Sequence, residues 1–97
     1  MTAANASQPP VVMYTTQSCP YCKRARKLLQ DKQVAFTDID VESADVMREE
    51  MRRRSGRTSV PQIFIGDTHV GGCDDLHALE ARGGLDALLN PGVQHGR

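Results

Sequence analysis

Cys19-Pro20-Tyr21-Cys22 constrains this chain more than any other stretch, because it sets two thiols three residues apart where an extended run gives way to a helical one. Before it lies the apolar Val11-Val12-Met13-Tyr14; after it, Lys23-Arg24-Ala25-Arg26-Lys27-Leu28-Leu29 reads as helix. Pro20 suits the first helical position, where its fixed φ matches the turn and its missing N–H would have had no partner. Cys19 therefore falls at or beside the N-cap. There the unpaired backbone N–H groups and the positive end of the helix dipole favour an anion, so a thiolate at Cys19 is stabilised. The four cations that follow within two turns act in the same direction.

Residues at i and i+3 of a helix have Cβ atoms about 5–6 Å apart, and a disulfide needs roughly 3.5–4.5 Å. The pair can close without moving the fold. Ala25, Leu28 and Leu29 continue the face that begins at Cys22, so Cys22 points inward while Cys19 stays at the exposed end. That asymmetry makes Cys19 the attacking thiol and Cys22 the resolving one.

The rest of the chain builds outward from this junction. Strand one is Val11 to Tyr14, and the helix runs from about Pro20 to Lys32. Val34 to Val41 alternates, with Val34, Phe36 and Ile39 inward around a slip in phase, and is the second strand. Strand, helix and strand imply a right-handed parallel crossover. Ser43 is the expected N-cap of a helix carrying Val46, Met47 and Met51 on its inner face, with Gly56 just past its end. Gln62 to Ile65, Gly66-Asp67 and Thr68 to Val70 read as an antiparallel hairpin with a II′ turn. A further helix begins near Cys73, buries Leu76 and Leu79 and stops at Gly83-Gly84; Leu85, Leu88 and Leu89 suggest a last short one. The order β-α-β-α-β-β-α predicts an α/β fold, a four-stranded mixed sheet flanked by helices, with the cysteines where the first strand's C-terminal end meets the next helix. Residues 1–10 are expected to be a disordered lead-in, 11–90 a single domain and 91–97 a frayed tail.

Ninety-seven residues allow one core and not two. Twelve basic and twelve acidic residues cancel, so charge makes no case for nucleic acid or a membrane surface. Arg52-Arg53-Arg54 is expected to be a solvated, dipole-matched last turn of helix. No apolar run approaches the ~20 residues of a membrane span, and the first ten residues lack the features of a secretory or transit signal. A cytoplasmic location is the expectation. Three cysteines, an odd number, fit a reduced compartment with a reactive pair and one spare.

Three motifs in order, Cys19-Pro20-Tyr21-Cys22, Ser59-Val60-Pro61 and Gly71-Gly72-Cys73-Asp74-Asp75, resemble those of the dithiol glutaredoxins. Ser55-Gly56-Arg57-Thr58 and Ala81-Arg82-Gly83-Gly84-Leu85 resemble the bacterial glutaredoxin 3 type in particular. The resemblance spans Val11 to Leu89. It implies a thioredoxin-like fold and a glutathione-dependent oxidoreductase acting on disulfide-containing and glutathionylated proteins. It further implies glutathione as co-substrate, no permanently bound cofactor and a monomer. By the same resemblance Pro61 is cis and faces the cysteine loop, and the backbone of Val60 pairs with the cysteinyl part of glutathione. The N–H groups of Cys73 and Asp74 receive the γ-glutamyl carboxylate, the Asp74 carboxylate meets its ammonium, and Tyr21 walls the tripeptide. Arg48 falls where the family often places a Gln or Arg for the glycyl carboxylate. Thr16 stands where members often carry a Lys, which removes one cation from that end of the ligand.

Each motif also has a plainer reading: Pro61 as a strand-start proline, Asp74-Asp75 as ordinary first-turn acidity, and Cys73 as a small buried hydrophobe. Two other functions use the same thiols. Cys19, Cys22, Cys73 and either His69 or His77 give a Cys₃His count suited to structural zinc, although Pro-Tyr between the cysteines and the βαβ context favour redox use. Some glutaredoxins bridge an iron–sulfur cluster between subunits, but these usually lack a proline at the position of Pro20.

Overall fold

The computed structural model describes residues 9–90. Its elements are β1 (Val11–Thr15), α1 (Pro20–Asp31), β2 (Thr37–Asp40), α2 (Asp45–Ser55), β3 (Gln62–Ile65), β4 (Thr68–Gly71), α3 (Cys73–Ala81) and α4 (Gly84–Leu89). Four strands form one mixed sheet in the order β2-β1-β3-β4, with β1 parallel to β2 and antiparallel to β3, and β3 antiparallel to β4. The expected α/β architecture is the one observed.

Alternation along the two central strands divides the core between the sheet's faces. Val11 and Met13 of β1 and Ile63 and Ile65 of β3 meet Ala25 and Leu29 of α1, Cys73 and Leu76 of α3, and Leu85 and Leu89 of α4. Tyr14 and Phe64 point the other way and pack with Val41 and with Met51 of α2. Both faces of β1 and β3 are therefore covered, which is why those strands read as continuous apolar runs.

Three sequence expectations shift. Only Thr37–Asp40 of the 34–41 stretch joins the ladder. The chain leaves α1 through Gln33, a non-glycine residue at φ 59°, and Val34 N–H donates to Leu29 O, so Val34 and Phe36 pack on the core from outside the sheet. That irregular exit is the slip in phase.

At the start of α2 the N-cap is Ala44, not Ser43. Asp40 accepts hydrogen bonds from the Glu42 N–H and the Ser43 hydroxyl, so Ser43 is committed to the turn before the helix. Val46 is 75 % exposed rather than inward. The face of α2 on the sheet runs through Met47 and Met51 to Arg54, and Val46 lies about 100° round the helix from it. Arg52, Arg53 and Arg54 are exposed cations of the last turn, as expected, and Arg54 in addition lays its guanidinium 4.1 Å from the Phe64 ring centre and donates to Tyr14 Oη at 2.7 Å.

Gly56 closes α2 in the left-handed conformation, as expected. The lead-in expected over residues 1–10 and the tail over 91–97 lie outside the described residues except for Pro9 and Pro10; Pro10 O accepts the Gly66 N–H.

Candidate active site

The central strand β1 delivers the chain to one end of the sheet, residues 16–18 turn it, and Cys19 caps α1 in an extended conformation (φ −78°, ψ 117°) with Pro20 inside the first turn. Cys19 Sγ accepts the Cys22 N–H at 3.2 Å, the contact a helix N-terminus offers an anion. On its other side the Cys19 thiol reaches the Val60 carbonyl at 3.8 Å. All three cysteines are free thiols. Cys19 is partly exposed and Cys22 fully buried, the asymmetry that their helical positions imply.

Burial sets the chemistry of the second thiol. Loss of solvent and the hydrogen bond with Cys19 push Cys22 from 9.0 up to about 12, against smaller opposing effects of the Thr16 backbone and the Arg26 charge. Cys22 is therefore a proton-bearing thiol at neutral pH.

The Val60–Pro61 bond is cis. Pro61 is buried and Val60 half-buried, and together with Tyr21, Ser59, Gly72, Cys73, Asp74 and Asp75 they line an open groove of about 180 Å³. Tyr21, 53 % exposed, forms one wall under the Arg24 guanidinium. The opposite end is the N-terminus of α3, whose first-turn N–H groups have no partner within the helix. Asp75 accepts the N-cap Gly72 N–H at 2.9 Å, and its carboxyl is held below the ordinary range by that bond and then by Arg57. Gly71 permits the approach: its φ is +117°, and a Cβ there would run into the Asp75 carboxylate.

Sequence reasoning named Cys19, Cys22, Tyr21, Val60, Pro61, Cys73, Asp74 and Arg48. The structure gathers all but Arg48 at the two thiols and the groove. Arg48 lines a separate depression with Asp45, Glu49, Arg52 and Thr58. Ser59 and Asp75 join the lining, and both lie inside the motifs already singled out. Cys73 is buried, its thiol raised by desolvation, and its side chain belongs to the core.

The Cys₃His set does not converge. Among the described residues no three or more His, Cys, Asp or Glu side chains come together as a metal group. His69 stacks on Phe64 and bonds Gln62 Oε1 at 2.7 Å, while His77 lines a depression with Arg24, Lys27, Leu28 and Asp31. No described helix is long and apolar enough to cross a membrane.

A family profile described as Glutaredoxin matches residues 11–70. The chain is 61 % identical over 82 residues to a glutaredoxin of Pseudomonas aeruginosa, covering 84 % of this chain and 98 % of that one. It is 58 % identical over 79 residues to glutaredoxin 3 of Escherichia coli K12, covering 81 % and 95 %. A crystal structure of a buckwheat glutaredoxin–glutathione complex superposes with a TM-score of 0.77 at 27 % identity, over 91 % of this chain and 84 % of that one.

Proposed function

The chain belongs to the glutaredoxin family, and on that premise we propose that its reaction runs through Cys19 as attacking thiol and Cys22 as resolving thiol. It is a glutathione-dependent thiol–disulfide oxidoreductase. The observation that carries the residue roles is the pairing of a partly exposed thiol on a helix N-terminus with a buried one a single turn behind it.

In this reading the Cys19 thiolate attacks a disulfide sulfur and releases the first substrate thiol, leaving a mixed disulfide at Cys19. Where the adduct is glutathione, a second glutathione takes it off by thiol exchange. Where the adduct is a protein, Cys22 attacks Cys19 Sγ, closes the Cys19–Cys22 disulfide and frees the substrate; glutathione then reduces the pair.

The groove beside Cys19 supplies the tripeptide site. The Val60 backbone offers an edge for the cysteinyl unit, and the α3 N-terminus at Cys73 and Asp74 offers N–H donors for the γ-glutamyl carboxylate. The Asp74 carboxylate answers the ammonium, and Tyr21 with cis-Pro61 flanks the chain. Neither Arg48, which lines another depression, nor Thr16 supplies a cation in this lining, so glycyl-end recognition is assigned to no side chain. The reducing equivalents reside in the two thiols, so the reaction needs no resident cofactor. Free thiols on which activity depends favour a reducing compartment, the cytoplasm, and a groove complete within one chain favours a working monomer.

The test separates the thiols. Cys19→Ser abolishes all glutathione-coupled turnover. Cys22→Ser retains reduction of a glutathione mixed disulfide but loses most reduction of protein disulfides, and accumulates trapped complexes on non-reducing gels. Equal loss of both activities in both variants would refute the division of labour.

A further inference from the structure

One charged cluster, Arg26, Asp38 and Thr15, lies outside the groove. Arg26 stands four residues beyond Cys22 on α1, so the two side chains share a helix face with Cβ atoms about 5–6 Å apart. Its guanidinium is pinned from two strands. Nε donates to Asp38 Oδ2 of β2 at 2.6 Å, and Nη2 donates to Thr15 Oγ1 at 2.9 Å. The Thr15 hydroxyl donates to the other carboxylate oxygen of Asp38 at 2.6 Å, closing a three-residue ring. Thr15, the last residue of β1, is 1 % exposed, and the Arg26 side chain 22 %. The next residue, Thr16, meets the Cys22 thiol through its backbone. The ring is thus anchored at the end of the sheet from which the thiol loop springs.

Three groups act on Cys22: the Cys19 sulfur and Arg26, both from α1, and the Thr16 backbone from the loop after β1. Asp38, the acid of the cluster, is turned onto Arg26 and Thr15. Arg26 is therefore the one cation among those groups, and its partners hold it where a flexible side chain would otherwise swing into solvent. A partly exposed ion pair of this kind adds little to stability, so its fixed position carries more consequence than its energy.

We propose that Arg26, tethered by Asp38 and Thr15, is a positioning residue for the resolving step, holding a positive charge beside Cys22 while that sulfur attacks the mixed disulfide. This rests on the roles proposed above for the two thiols. In the step, Cys22 gives up its proton to solvent, its sulfur forms a bond to Cys19 Sγ, and the Cys19–substrate S–S bond breaks. The substrate sulfur leaves with the electron pair and takes up a proton. The mixed disulfide is the only oxidant required. Glutathione release of a Cys19 adduct does not pass through Cys22, so the charge at Arg26 bears on one branch of the reaction and not the other.

The experiment measures, for Arg26→Met, Arg26→Lys and Asp38→Asn, the rate of protein-disulfide reduction and the rate of reduction of a small glutathione mixed disulfide, each from pH 6 to 10. A cation beside a thiol favours the thiolate, and Arg26 is the smallest of the influences on Cys22, so Arg26→Met lowers the ratio of the first rate to the second by a few-fold at pH 7. The ratio recovers as pH rises, because hydroxide then does what the cation did. Arg26→Lys restores most of it, and Asp38→Asn, which keeps the charge but loosens it, gives a smaller loss in the same direction. An unchanged ratio, or an equal fall in both rates at every pH, overturns the proposal. If Arg26→Met does not fold, the Asp38→Asn ratio and its pH profile decide alone. Should Cys22→Ser itself leave protein-disulfide reduction intact, the thiol assignment fails first, a result readily told apart from a silent Arg26.

Discussion

Gly71→Ala is the substitution by which the architecture of the groove is most sharply tested. Gly71 ends β4 opposite Ile63, with φ at +117°, a region that residues with a Cβ seldom enter. Such backbone strain costs about 1–3 kcal/mol. The new methyl would also strike the Asp75 carboxylate, which must then leave the Gly72 N–H that it caps, a loss of about 0.5–2 kcal/mol. The sum is about 1.5–5 kcal/mol, or a Tm lower by roughly 6–40 °C in a domain of this size. Because the displaced groups frame the α3 end of the groove, KM for glutathione rises as well. Urea unfolding of the reduced protein, read beside a glutathione-coupled assay, measures both effects. Asp75→Ala alone should cost only the cap. Since it removes the atoms that the methyl strikes, the double variant should be less destabilised than the two single losses added. Strict additivity, or a Gly71→Ala protein within 0.5 kcal/mol of wild type, would refute the steric argument.

Asp74→Ala should raise KM for glutathione by roughly ten- to a hundredfold, the worth of a charge-assisted contact of about 1.5–3 kcal/mol, with the melting temperature nearly unchanged; a large fall in melting temperature instead would reduce Asp74 to a first-turn acid. Arg54→Ala should destabilise the fold by about 1–2 kcal/mol through the lost Phe64 stacking and Tyr14 hydrogen bond, with glutathione kinetics intact. Stability of the reduced protein should also carry the signature of Cys22. Its thiol, raised to about 12 by burial and then by Cys19, stays protonated in the fold after the unfolded chain has released its proton near 9.0. This stabilising contribution is whole below pH 9 and declines by about 1.4 kcal/mol per pH unit up to about 12. Denaturation curves for wild type and Cys22→Ala across pH 8–11 should converge by that slope, and parallel curves would contradict it.

What could be read from the sequence was what the chain decides locally. The N-cap role of Cys19, the burial of Cys22, the hairpin at Gly66-Asp67 and the left-handed Gly56 all follow from a few adjacent residues, and all are present. Val46 was misplaced because a helix's inward stripe depends on which sheet face it meets, and the partners of α2, Tyr14 and Phe64, stand at remote positions. The contact of the exposed Arg54 with Phe64 is hidden for the same reason: nothing near it in sequence announces an aromatic ring to lie on. The cis bond at Pro61 came from resemblance alone, since X-Pro bonds are cis only about one time in twenty. Thr15, Arg26 and Asp38 carried no local signal at all, being ordinary residues until the parallel pairing of β1 and β2 and the crossover of α1 bring them together.

The site's convergence is a consequence of strand register rather than of any single motif. Tyr14, next to last in β1, pairs with Gln62, the first residue of β3, so the chain leaving one strand and the chain entering the other meet at the same end of the sheet. The loop before Cys19 and the cis-Pro61 turn are thereby adjacent, and the Cys19 thiol can reach the Val60 carbonyl across 41 residues of sequence. β4 runs antiparallel to β3, so Gly71 comes opposite Ile63 and the chain passes from that end into α3 with its N-terminus facing the same loop. Two antiparallel neighbours of one strand thus bring two helix starts and a proline turn around a single sulfur. A slip of one residue between β1 and β3 would turn either Tyr14 or Phe64, whichever strand moved, toward the face held by Leu29 and Leu76 and carry Val60 away from Cys19. The apolar alternation that builds the core is therefore also what aligns the thiol with its groove, and substitutions that disturb β1–β3 packing should lower activity in step with stability.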